Sequence, residues 1–249
     1  MIMKNTLWKK FKKLTDVCYT DMIANMVDAE KKNSSWEQAF EILMEIVRTE
    51  RQKNPAFAPE FEMLDDITDF EYDISGWMED CLDEMDMREQ YKVLLNMCDA
   101  LLNTFSWPEY TGSDLKFRKA IVLEQLDRLD DAVKFCGQWL DKEPENIEAA
   151  TASVYVLTNK KEFEKAEQLI HKFILDENEC CEENEIMFLA AAKFYETSGD
   201  KKKKKQLDKV IKKYEEEEDK RFMEWIESDG YGEDDWDDLE FGDDDLPFN

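Results

Sequence analysis

The sequence predicts an all-helical protein, and three observations carry that expectation. Turn formers are scarce, with 7 Gly and 5 Pro in 249 residues. The chain is rich in Glu, Lys, Leu, Ala and Met, which favour helix. Apolar residues recur at spacings of three and four, while strand-like alternation of Val, Ile and Thr is absent.

The elements follow in order. Over about residues 4–30, Leu7, Trp8, Phe11, Leu14 and Cys18 make one apolar stripe, with Lys9, Lys10, Lys12 and Lys13 on the other faces. A basic amphipathic helix of this kind lies on a membrane, fills a partner's groove or, most often, packs on the next helix pair. Ser34 and Ser35 offer a cap for a helix that buries Trp36, Ala39, Phe40, Leu43, Ile46 and Val47. It stops near Asn54-Pro55, and Pro59 closes a short extended link. One helix is expected over about 61–83, through Leu64, Ile67, Phe70, Ile74, Trp77 and Met78. After a turn at Asp86, Tyr91, Leu94, Leu95, Cys98, Leu101 and Leu102 line another, which Trp107-Pro108 and Gly112 end.

An internal period emerges from Ser113 onward. Helices are expected over Ser113–Gln125 and 130–143, joined by the short link at 126–129 and closed by Pro144. Ala132 in "DDAVKFCGQWL" recurs 34 residues later as Ala166 in "EKAEQLIHKFI", and Leu140 maps to Ile174 at the same offset. A looser unit sets Ala191, Ala192 and Tyr195 on one helix, "TSGD" (197–200) as the turn, and Leu207, Val210, Ile211 and Tyr214 on the next. Small residues let paired helices approach closely. A single hairpin cannot hide its apolar face, so neighbours must stack.

This pattern resembles the tetratricopeptide repeat, with Ala120 at the small position of the first helix, Leu123, Ala132, and Pro144 at the closing position. The next unit keeps Phe163 and Ala166 but has Val154 where a small residue is usual and Asn178 in place of the closing proline. The resemblance implies an all-α solenoid of stacked helical hairpins over 1–227, with repeats at 113–146, 147–178 and 184–217. Residues 34–107 would add two irregular hairpins. It also implies a concave groove lined by the first helix of each pair. In that register the groove residues are Phe117, Ile121, Glu124 and Gln125, then Thr151, Tyr155, Thr158 and Asn159. Chaperone-binding members of the family hold a C-terminal carboxylate with Lys and Asn in such a groove. Phe117, Ile121, Thr151 and Tyr155 stand here instead, so that clamp is missing. An apolar, mildly acidic groove suits an amphipathic helix or an extended peptide with basic flanks. The competing reading makes Phe117 and Ile121 ordinary core under a neighbouring helix.

Charge separates the last segment from the rest. Residues 215–249 hold 17 acidic and 2 basic side chains, more than half of the formal net charge of −28. Such a block cannot repay the entropy of ordering, so 228–249 is expected to be a disordered acidic tail, while Trp225 and Ile226 end the last helix. Trp236 and Phe241 are among the aromatics that punctuate it. Its end resembles the acidic tip of bacterial single-stranded-DNA-binding proteins, through Asp243, Asp244, Asp245, Leu246, Pro247 and Phe248. Asn249 then shifts the terminal carboxylate one residue beyond the ring, a departure that puts such docking in doubt. The plainer alternatives are a solvated tail, or one folding back on the lysines at 201–205 and on the N-terminal lysines.

Several classes are disfavoured. An acidic chain repels the nucleic-acid backbone and anionic membranes, so neither is expected as a partner. Cys18, Cys81, Cys98, Cys136, Cys180 and Cys181 contain no C-x-x-C pair, and most sit on apolar helix faces as small hydrophobes. The lone His171 has no nucleophile or carboxylate constellation beside it, and phosphate-loop, nucleophile-elbow and zinc-helix motifs are missing. No cofactor, metal site or enzymatic activity is expected. Residues 1–20 show no secretory leader pattern, and a cytoplasmic setting is expected. The leading expectation is a non-enzymatic scaffold or adaptor whose groove takes a basic or amphipathic segment of another protein. The alternative is a regulator or inhibitor acting through its tail, as a mimic of an acidic surface or of that tip.

Overall fold

The computed structural model describes residues 6–23 and 34–228, and there the chain is all-helical. Its helices are α1 (Thr6–Ile23), α2 (Ser35–Lys53), α3 (Met63–Thr68), α4 (Ile74–Met87), α5 (Tyr91–Thr104), α6 (Ser113–Gln125), α7 (Leu129–Lys142), α8 (Ile147–Asn159), α9 (Phe163–Phe173), α10 (Glu185–Ser198) and α11 (Lys201–Ser228). The non-helical pairing among the described residues is an isolated parallel bridge between Glu60 and Ser106. No helix among them is long and apolar enough to cross a membrane. The chain divides into two compact units, Met1–Glu162 and Phe163–Asn249. That division falls in the link between α8 and α9, inside the segment read as the repeat 147–178.

In the first unit α1 packs on α2 and α4 on α5, while α6 touches α5, α7 and α8, and α7 touches α8. The amphipathic stripe of α1 therefore settles the choice left open for it: Trp8, Phe11 and Cys18 are core. Trp8 stacks on Tyr72 with ring centroids 4.9 Å apart, and Phe11 meets Trp77 edge-on at 5.0 Å. Trp77 in turn stacks on Trp36 at 6.2 Å, joining three helices through two indoles. The Tyr19 hydroxyl donates to Asp80 Oδ2 at 3.0 Å and pins α1 to α4. Ser34 starts α2 with a reciprocal cap, accepting from the Glu37 N–H while its own N–H donates to the Glu37 carboxylate.

The single helix expected over 61–83 is corrected to two, α3 and α4. The chain turns between them through left-handed residues at Asp69, Phe70 and Asp73. The buried Asp65 carboxylate accepts the N–H groups of Ile74 and Ser75 at 2.6 and 2.9 Å and the Ser75 hydroxyl at 2.5 Å. A side chain from α3 thus satisfies the donors that open α4, and that makes the break stable. Ile67 and Phe70, expected in the helix core, are 39% and 67% exposed.

The second unit holds α9, α10 and α11, with α10 packed on both others. Ala190, Ala191 and Phe194 are buried along α10, and Leu207 and Ile211 along α11. Gly199 ends α10 at φ 92° in the left-handed region, within the turn expected at "TSGD". Lys203 Nζ donates to the Tyr195 hydroxyl at 3.0 Å and pairs with Glu167 at 3.3 Å, linking the three helices. With 28 residues against 14, α11 outruns α10, and Phe222 and Trp225 on its far half are 58% and 54% exposed.

Candidate functional site

The candidate site is the face made by α6 and α8, which a polar knot holds together at one end. Asn146 caps α8, its side-chain oxygen accepting from the Glu148 and Ala149 N–H groups at 2.9 and 3.1 Å. Its amide nitrogen donates to Ser113 Oγ at the start of α6 at 2.9 Å, and to Glu143 at the end of α7 at 2.7 Å. Glu143 also accepts from the Trp139 indole at 2.7 Å and from Lys116 Nζ at 2.5 Å. Burial alone would raise the Glu143 carboxyl, but the hydrogen bonds from Lys116, Trp139 and Asn146 together hold it below the usual carboxylate range. Three helices are clamped through two side chains.

Across the face, Phe117 on α6 meets Tyr155 on α8 edge-on, with centroids 6.2 Å apart. Two turns on along α6 and one along α8, the Asn159 amide donates to Glu124 Oε1 at 3.0 Å. Burial lifts the Glu124 carboxyl above its ordinary range and Asn159 partly offsets the lift; burial also lifts Tyr155. Ile121 is 40% exposed between these pairs, and Gln125 is exposed at the end of α6. The structure therefore brings Phe117, Ile121, Glu124, Tyr155 and Asn159 to one half-open strip, with Gln125 at its margin.

Thr151 and Thr158 do not join it. Each is 1% exposed, and neither hydroxyl oxygen has a hydrogen-bond partner among the described residues. Both are corrected from groove contacts to interior positions, because α8 is buried along nearly its whole length. The tail positions Trp236, Phe241, Asp243, Asp244, Asp245, Leu246, Pro247 and Phe248 lie outside the described residues. His171 is exposed on α9.

Sequence reasoning missed a second feature of α6, on its side toward α4. Arg118 on α6 pairs with Asp83 on α4 at 2.6 Å, beside a cavity of about 560 Å³ whose lining includes Met78, Leu82, Asp114 and Leu115. No local signal marks it, because Arg118 and Asp83 lie 35 residues apart in the chain. As a whole the strip offers an aromatic pair, one exposed aliphatic residue and one partly buried carboxylate, Glu124. That chemistry holds an apolar side chain beside a lysine or arginine. Comparison with protein-family models, with curated proteins and with solved structures finds no match for this chain.

Proposed function

We propose that this chain is a non-enzymatic, cytoplasmic protein-interaction module built of tetratricopeptide-like helical hairpins. Its partner is another protein, which presents a basic or amphipathic segment to the α6–α8 face. The observation carrying this reading is the Phe117–Tyr155 ring pair beside the half-buried Glu124. Aromatic anchors next to a partly desolvated charge are the usual makings of an interface hot spot. The succession of contacts by which α6 touches α7 and α8 while α7 touches α8 is also what stacked hairpins produce.

Affinity capture with three baits tests it: the full chain, the chain lacking 229–249, and full-length Phe117→Ala/Ile121→Asp. Loss of specific partners with the double substitution, and their retention without the tail, supports the groove. Loss with the truncation alone transfers the function to the tail and ends this reading.

A further inference from the structure

A concave surface lies in the first unit, between α2 and α5. The two helices are joined at one end by Arg51. Its guanidinium donates to the Thr104 carbonyl at 2.6 Å and to those of Phe57 and Ala58 at 3.1 and 2.5 Å, and sits 5.1 Å from the Phe105 ring centroid. Away from this clip the helices stand apart around a cleft of about 690 Å³. Its floor is apolar: Phe40, Met44, Val93, Met97 and Ala100. Past Met44, Arg48 and Thr104 the cleft continues into a second open hollow of about 450 Å³ beside Arg51.

The two lips differ in charge. Along α2, Glu37, Glu41 and Glu45 stand on successive turns, roughly 6 Å apart at the rise of a helix. Glu37 is engaged by the Ser34 N–H, but Glu41 and Glu45 are exposed and carry no ion pair among the described residues. The α5 lip is neutral, with Asn96 and Thr104. Arg48, exposed and also without an ion pair among the described residues, stands where the two hollows meet.

We infer that the α2–α5 cleft is a docking groove for an amphipathic helix of a partner protein. The guest's apolar stripe lies on Phe40, Met44 and Val93, and its lysines or arginines, one turn apart, face Glu41 and Glu45. A helix fits because the carboxylates repeat at helical pitch and the floor is a trough between two helices, with no sheet edge to extend. The carboxylate lip selects a basic flank and repels nucleic acid. Arg48, toward the Arg51 end of the cleft, favours the negative, C-terminal end of the guest there. This groove shares no residue with the α6–α8 strip and stands or falls separately from it.

The test uses the full chain and, as probe, a fluorescein-labelled amphipathic helical peptide of leucine and lysine, read by anisotropy at about 0.15 M salt. Glu41→Lys/Glu45→Lys is expected to weaken binding about tenfold or more. Ala100→Trp, which fills the floor without changing charge, is expected to weaken it similarly. Asp141→Lys/Glu164→Lys makes the same charge change on exposed sites elsewhere and is expected to stay within about twofold of the unaltered chain. Circular dichroism confirms that each variant keeps its helix content. Equal weakening by both charge pairs, no effect of Ala100→Trp, or no binding at all overturns the inference. Loss of the probe with Ile121→Asp also overturns it, by placing the peptide on the α6–α8 face, and leaves the proposed function standing.

Discussion

The Asp65 carboxylate on α3 accepts the backbone N–H of Ile74, the first residue of α4, at 2.6 Å. One buried side chain from α3 therefore caps α4 at the break that makes 61–83 two helices. Replacing Asp65 by Ala leaves two backbone donors and the Ser75 hydroxyl without their acceptor. We expect a loss of about 2–4 kcal/mol in urea unfolding, and about 1–2 kcal/mol for Asp65→Asn, which keeps one oxygen. A loss of under about 0.5 kcal/mol for Asp65→Ala would show that the cap is not what holds the break.

Two carboxyls on the same three helices are expected to titrate on opposite sides of the ordinary range. Glu143 is held below it, so its contribution to stability is complete above the ordinary carboxylate pKa and is lost as pH falls through the lowered folded value. The stability gap between the natural chain and Glu143→Gln should be full near neutrality and shrink as pH falls below the ordinary carboxylate range. Glu124 is raised by burial, so ionising it opposes folding and the protein gains from that site as pH falls through its raised value. Carbon-detected NMR titration should find Glu124 above Glu143, and Asn159→Ala should push Glu124 higher still. The reverse order of the two would refute this assignment of causes.

Ala132 is fully buried where α7 packs on its neighbours. Ala132→Leu forces extra methylenes into that contact and is expected to cost about 1–3 kcal/mol. Calorimetry showing an unchanged melting temperature would place Ala132 outside the close helix approach.

The cysteines should fall into two kinetic classes. Burial pushes the Cys18, Cys98 and Cys136 thiols up to about 12, and Cys81 is buried and raised as well. Cys180 and Cys181 are half-exposed. In the native protein a maleimide should label these two first, and all six only after unfolding. Early labelling of Cys18 or Cys81 would mean that the α1–α4 layer opens readily.

Elements whose ends are marked by local chemistry could be read directly from the residues. The span Ser113–Gln125 is α6 to the residue, because a glycine precedes it and a tight link follows. The "TSGD" turn rests on one left-handed glycine, and the Ser34 cap on a serine three residues before Glu37. The break after Thr68 carried no such mark. Its left-handed positions are Asp69, Phe70 and Asp73, and its cap comes from Asp65 nine residues before Ile74.

What the sequence determined alone was therefore the helical class, most boundaries, and which small residues sit between helices, all properties of spacing and propensity within a few turns. What only the tertiary structure decided was which helices meet: α1 with α2, α4 with α5, and the burial of Thr151 and Thr158 on a helix that carries Tyr155 between them. Helical periodicity says that a face is apolar, not what covers it. That depends on contacts between residues far apart in the chain, where packing outweighs local preference.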